Sequence, residues 1–170
     1  EKNRALLYEY KVSRSRAEVD QRTGGRVGYI HIPAMGDNNF TNFQRELFRD
    51  NADKEALIID VRGNTGGHVH DQIISLLNKT PYALSTSRRY SGQQNLEPRR
   101  AWTRPSIVLA DEPTGNLDSI TSLQTMELLQ EIHEGGNTIL MVTHNPELTR
   151  FATRVIYMKD GQIQYDEALK

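Results

Sequence analysis

The sequence of 170 residues contains no cysteine, which excludes disulfide bonds and thiolate sites. No apolar run approaches the roughly 20 residues that a membrane-spanning helix needs, and the charged N-terminus leads us to expect no signal peptide. The net charge of −1 provides no overall field that would favour nucleic acid as a partner. We therefore expect a cytoplasmic protein with one ordinary domain and a hydrophobic core.

The most informative stretch covers residues 105–119. Its apolar run, residues 107–110, ends at two adjacent carboxylates, Asp111 and Glu112. Such a run predicts a buried strand of a parallel sheet, and ligands of these sheets bind beyond the carboxyl ends of the strands. One carboxylate there can hold Mg²⁺ while its neighbour activates water. The alternative is an acidic strand end followed by a turn, because residues 113–116 all favour turns.

The letters LADEPTGNLDS at residues 109–119 and VTHN at residues 142–145 resemble the Walker B, D-loop and switch-histidine segments of ABC transporter ATPases. The branch that they resemble most is that of lipoprotein release and macrolide efflux, over about residues 105–168. This resemblance implies Mg-ATP as the cofactor and a dimer partner or a membrane subunit as the partner. It also implies roles for six residues: Asp111 supports the magnesium ion, Glu112 polarises the attacking water, His144 contacts the γ-phosphate, and Gly115, Asn116 and Asp118 face the partner subunit.

A second glycine-rich turn, RGNTGG at residues 62–67, separates a predicted strand over residues 56–61 from a predicted helix. Backbone N–H groups at such a turn suit an anion or an oxyanion; the alternative is a tight turn that only glycine can make. Together with VGYIHIP at residues 27–33, this segment resembles the tail-specific serine peptidases, nearest to the tricorn core branch. That resemblance implies a peptide substrate and an oxyanion-hole amide on Gly66 or Gly67.

His68, His70 and Asp71 form the remaining candidate for a metal site. Because His68 and His70 are two residues apart and diverge on a helix, a metal site is the less favoured interpretation of these residues.

Periodicity predicts the other elements. Residues 1–26 read as a lead-in segment that is helical in part, and the capping-box spacing of Thr41 and Gln44 predicts a helix that begins at Thr41. Residues 81–104 are irregular and basic, which is typical of a solvated loop. Further elements are a helix over residues 119–134, a buried strand over residues 138–142 and a closing hairpin.

The two resemblances overlap inside one strand, near residues 106–110. Both families place a central parallel strand there, so a hybrid keeps a continuous sheet. We predict an α/β fold with a mostly parallel sheet of about five strands, helices on both faces and a C-terminal β-hairpin. A peptidase-like segment, residues 1–104, and an ABC ATPase segment, residues 105–170, would form one continuous hybrid domain.

Each segment lacks residues that its family uses. The chain contains no Gly-Lys pair and so no phosphate loop of the G-x-x-x-x-G-K-[ST] type. Asn116 stands where the peptidase family has its serine, and an amide is not activated as a nucleophile by a base. We predict an ABC-type segment joined to a peptidase-like segment, with neither active site complete. The alternatives are an ATP-binding remnant assisted by a partner's phosphate loop, a peptidase relative that uses a residue such as Ser119, and a folded hybrid without activity.

Overall fold

The computed structural model describes residues 2–78, 83–86, 94–97, 101–115 and 118–169. Within these ranges, none of the helices combines the length and apolarity of a transmembrane span. The helices are α1 (Lys2–Thr23), α2 (Asp37–Arg45), a π-helical turn (Glu46–Asp50), α3 (His70–Leu77), α4 (Ser119–Glu134) and a 3₁₀ helix (Pro146–Phe151). The strands are β1 (Val27–His31), β2 (Ala56–Asp60), β3 (Ala83–Thr86), β4 (Gln94–Glu97), β5 (Ser106–Asp111), β6 (Thr138–Val142), β7 (Arg154–Lys159) and β8 (Gln162–Ala168).

A four-stranded parallel sheet with the order β1-β2-β5-β6 forms the centre of the described chain. Each connection between successive strands of this sheet contains a helix, as parallel pairing requires. β7 and β8 form the predicted antiparallel hairpin. The α/β fold class is therefore confirmed. The stretch over residues 81–104, which we expected to be a loop, contains the antiparallel pair β3–β4.

Helices cover one face of this sheet, closely over β1, β2 and β5 and less closely over β6. Ile30, Ile59 and Val108 lie side by side in the strand register and are at most 3% exposed. They share one hydrophobic core with side chains from α2 to α4 and from the connections between them. These side chains are Phe43, Leu47, Val69, Ile73, Ile74, Leu76, Leu77, Trp102 and Ile132. Because Ile132 belongs to the ABC-like segment, the core contains residues of both segments.

The opposite face of the sheet is largely open at β5 and β6. Ile107, Leu140 and Val142 point to this side and are 40%, 53% and 57% exposed. Helix α1 lies beside β1, where Arg16 Nε donates to the Tyr29 carbonyl at 3.3 Å. Of the two strands that we predicted to be buried, β5 is buried on one face only, and β6 is half-buried on that face and exposed on the other, because no described helix covers the other face.

The helix that we predicted to begin at Thr41 begins at Asp37 instead. The Thr41 hydroxyl donates to the Asp37 carbonyl at 3.0 Å. Threonines inside a helix often make such a hydrogen bond to the carbonyl four residues earlier. The Thr41–Gln44 spacing therefore does not mark a helix start. The helix follows Gly36, which is extended and provides no side-chain cap.

A buried hydrogen-bond network joins the two segments. Asn137 is 5% exposed, and its side-chain oxygen accepts from the Ser106 hydroxyl. Its Nδ2 donates to Asn78 Oδ1 and to the Ile132 carbonyl, both at 3.0 Å. Asn78 Nδ2 donates to the Glu131 carbonyl at 3.0 Å. The end of α3 is thereby bonded to α4 and to the residue that precedes β6.

Replacing Asn137 by alanine is expected to lower the free energy of unfolding by about 1–3 kcal/mol, because the buried Ser106 hydroxyl loses its partner. Urea unfolding of the two proteins measures this difference. Asn38→Ala, at an exposed position on α2, is the matched control and should change stability little. Equal losses in the two variants would contradict the role of this network.

Candidate functional site

The carboxyl ends of β5 and β6 bring Glu112 and His144 together. The Glu112 amide donates to the Val142 carbonyl at 2.8 Å. Glu112 Oε1 accepts from the His144 amide at 2.7 Å and lies 2.8 Å from His144 Nδ1. Glu112 Oε2 accepts from Thr143 Oγ1 at 3.2 Å. Both carboxylate oxygens of Glu112 therefore already have protein partners.

The conformation and charge of Glu112 follow from these contacts. Its φ is 45°, in the left-handed region that non-glycine residues seldom adopt. The side-chain hydrogen bond with His144 is the largest cause that lowers the pKa of Glu112; desolvation opposes it, and the His144 amide and Thr143 add to it. Glu112 is thus an ionised carboxylate that holds the loop after β6.

Replacing His144 by alanine is expected to raise the pKa of Glu112 towards its ordinary value, because the main hydrogen bond to the ionised form is lost. An NMR titration of the Glu112 side-chain carboxyl measures this change. His70→Ala, at a histidine that pairs with Asp71, is the control and should leave the titration unchanged. A Glu112 titration that is the same in His144→Ala and in the unsubstituted protein would exclude the contact in solution.

Asp118 caps helix α4. Its Oδ1 accepts from the amides of Ile120 and Thr121 at 3.0 Å, and its Oδ2 accepts from the Thr121 hydroxyl at 2.7 Å. The Thr121 hydroxyl is the largest cause that lowers the pKa of Asp118. The predicted contact of Asp118 with a partner subunit stays a prediction, and the cap is the role that the geometry itself provides. Asn116 lies outside the described residues.

Asp111 and Gly115 flank Glu112. Asp111 ends β5, is exposed and makes no hydrogen bond or ion pair with another described residue. The Gly115 amide donates to the Glu112 carbonyl at 3.0 Å and closes the turn after the strand. The assignment of Asp111 to a magnesium ion stays a prediction.

Across the described ranges, no three histidine, aspartate or glutamate residues are grouped so that they could hold a metal ion. His68 Nε2 lies 3.1 Å from Asp37 Oδ1, and His70 Nε2 lies 3.4 Å from Asp71 Oδ1. The two histidines therefore contact different carboxylates.

The glycine turn distinguishes the two amides that we proposed for an oxyanion. The Gly66 amide donates to Asn64 Oδ1 at 2.7 Å. The Gly67 amide makes no hydrogen bond to a described residue, and a Cβ at Gly67 would lie 2.1 Å from the Met35 carbonyl oxygen. Only glycine fits this position, and of the two amides only that of Gly67 is available to a ligand.

Sequence reasoning assigned no role to Asp60, whose side chain is 3% exposed. It accepts from Tyr29 Oη at 2.6 Å, from Arg62 Nε at 2.9 Å and from Arg62 Nη2 at 2.6 Å. Burial alone would raise the pKa of Asp60, but the hydrogen bonds from Arg62 and Tyr29 outweigh it and the pKa is lowered. Burial, together with the hydrogen bond to Asp60 and its negative charge, raises the pKa of Tyr29 to about 12. The sequence feature that could have identified Asp60 is its position at the end of an apolar strand, two residues before Arg62.

The model of peptidase family S41 matches residues 26–121. The curated protein "Putative tricorn protease homolog 2" of Streptomyces coelicolor is 37% identical over 113 residues, which are 66% of this chain and 9% of that protein. The crystal structure of the tricorn protease superposes with a TM-score of 0.55 and 28% identity, and the match covers 75% of this chain and 12% of that chain. These matches bear out the peptidase resemblance.

ABC transporter proteins match over a different stretch. A macrolide export ATP-binding/permease protein of Chlorobium luteolum is 47% identical over 92 residues, which are 54% of this chain and 13% of that protein. The chain thus resembles both families, as the motifs predicted, and it spans a small part of the relatives that it matches.

Proposed function

The chain belongs to peptidase family S41, whose model matches residues 26–121, and we propose that it joins an S41-type segment to an ABC ATPase-type segment without completing either active site. One observation carries this proposal. Glu112, which the ABC resemblance makes the water-polarising base, has both oxygens held by Thr143 and His144. The chain offers no lysine-bearing phosphate loop beside it.

The residues of this chain do not fit Mg-ATP. Asp111 could contact the ion, but among the described residues no three histidine, aspartate or glutamate side chains are grouped to hold one. Catalysis of phosphoryl transfer consists mainly of positioning and charge stabilisation, and the amides and lysine that position the phosphates belong to the phosphate loop. We therefore derive no step of ATP hydrolysis through Asp111 and Glu112.

The peptidase-like segment retains one element of acyl transfer. The free Gly67 amide is of the kind that stabilises an oxyanion, but Asn116 provides no hydroxyl for attack. Ser119 is the alternative nucleophile. It lies exposed at the first position of α4, and no described histidine is hydrogen-bonded to it to act as its base.

Calorimetric titration of Mg-ATP into the chain tests the nucleotide half of the proposal. We expect no binding heat at millimolar nucleotide, either in the unsubstituted protein or in Asp111→Ala. Sub-millimolar binding that disappears in Asp111→Ala would overturn the proposal in favour of an ATP-binding remnant. Asp53→Ala, at an exposed acid away from this edge of the sheet, is the matched control for such a loss.

A fluorophosphonate probe tests the peptidase half, because it labels activated serine hydroxyls. We expect no labelling at any serine. Labelling that is absent in Ser119→Ala and retained in Ser122→Ala would instead identify a peptidase that uses Ser119.

The ABC resemblance also suggests a dimer partner or a membrane subunit. We propose that such a partner would have to supply the phosphate loop for the Asp111–Glu112 edge to act. Adding an intact ABC ATPase domain to the titration tests this point, and ATP turnover above that of the added domain alone would support it.

A further inference from the structure

The C-terminal hairpin has no packing partner within the described chain. Every residue of β8 and every residue of β7 except Val155 is exposed, and no other described helix or strand makes extensive contact with either strand. Its apolar side chains include Met158 and Ile163, both 61% exposed, and Tyr157 stacks on Tyr165 with ring centroids 5.1 Å apart. A two-stranded hairpin is marginally stable in water unless a third strand or a helix packs on it.

Strand β6 has a free edge that could receive such a strand. It pairs with β5 alone, and the Val142 carbonyl accepts from the Glu112 amide on the β5 side. By alternation, the backbone groups of Ile139 and Met141 point to the outer edge, where no described group bonds them. The strand TILMV contains no charge or proline, and its pairing with β5 has no bulge, so it lacks the features that usually protect an edge.

Within the described chain, no strand pairing joins the hairpin to β6. The 3₁₀ helix between them is held by Leu148, which is 7% exposed and packs with Met126 and Leu129 of α4. The hairpin follows this anchored connection, while Leu140 and Val142 stay exposed beside the edge of β6. The edge of β6 lacks a neighbouring strand, and the hairpin of β7 and β8 lacks a supporting strand or helix.

We propose that the hairpin of one copy of this chain adds to the free edge of β6 in a second copy. The backbone groups of Ile139 and Met141 gain hydrogen bonds, and the hairpin gains a third strand. The contact joins two different surfaces, so it is heterologous and either closes by reciprocal exchange of hairpins or continues into a chain of molecules. This proposal does not depend on the proposed function.

Sedimentation velocity over low to high micromolar concentrations, with light scattering after gel filtration, tests the proposal. We expect association of the unsubstituted protein and an association that is about tenfold weaker or more in Leu140→Lys and in Met158→Lys, since an unpaired ammonium at the contact is disfavoured. Both positions are more than half exposed, so circular dichroism should show an unchanged fold. Ile120→Lys, at a 73% exposed apolar residue on α4, is the matched control and should associate like the unsubstituted protein.

Mixing the two variants provides the sharper test. Leu140→Lys keeps an intact hairpin and Met158→Lys keeps an intact β6 edge, so an equimolar mixture should form a one-to-one complex and nothing larger. The proposal is overturned if the unsubstituted protein is monomeric at every concentration, as it would be if the hairpin folded back on its own β6. It is equally overturned if either single variant associates like the control, as it would if like surfaces met, or if the mixture stays monomeric.

Discussion

Replacing Arg62 by alanine is expected to destabilise the fold by about 3 kcal/mol at neutral pH, because it leaves a buried carboxylate without its charge partner; this is the lower end for a buried pair, since Arg62 itself is 51% exposed. The Asp60 side chain is 3% exposed, and Arg62 contacts both of its oxygens. The Tyr29 hydroxyl remains as a neutral donor and cannot replace the guanidinium. Urea unfolding of the two proteins at neutral pH measures the loss.

The pH dependence identifies Asp60 as the cause. In the unsubstituted protein the lowered pKa of Asp60 contributes stability that is present above the unfolded value of about 3.9 and is lost as the pH falls through the lower folded value. In Arg62→Ala, burial raises the folded pKa instead, so the deficit is largest at neutral pH and shrinks as acid protonates Asp60. Arg49→Ala, which breaks an exposed pair with Asp50 at 3.6 Å, should cost less than about 1 kcal/mol. A deficit that does not change with pH would contradict this account.

Replacing Ile132 by alanine is expected to cost about 2–5 kcal/mol, because it leaves a cavity in a core that both segments share. Ile132 is 6% exposed and belongs to the same cluster as Ile59 and Trp102. Trp102 is the single tryptophan of the chain, so its fluorescence reports on the junction of the segments. Unfolding followed by this fluorescence and by far-UV circular dichroism should shift to lower urea together.

Coincident transitions are expected because the two segments would form one cooperative unit. Ile120→Ala removes the same side chain from a 73% exposed position on α4 and should change stability by no more than about 0.5 kcal/mol. If Ile132→Ala moved the circular dichroism transition and left the tryptophan transition in place, the two segments would fold as separate units.

The candidate site could be predicted in part. Motif letters identified Glu112 and His144, and the parallel sheet brings them together because the carboxyl ends of β5 and β6 are adjacent. What the letters could not indicate is that His144 and Thr143 hold both oxygens of Glu112. The distinction between Gly66 and Gly67 likewise depended on the Asn64 side chain, whose direction no spacing rule provides.

The sequence by itself determined the strands of the parallel sheet, the closing hairpin, the long helix α4 and the presence of two family resemblances, because these depend on local periodicity and short motifs. Only the tertiary structure decided the rest. Burial of a strand depends on what covers each of its faces, so Leu140 and Val142, apolar in sequence, proved to be exposed. The position of Asp60 in the core and the network around Asn137 required the contact of residues far apart in the chain, and such contacts exist only once the sheet has formed.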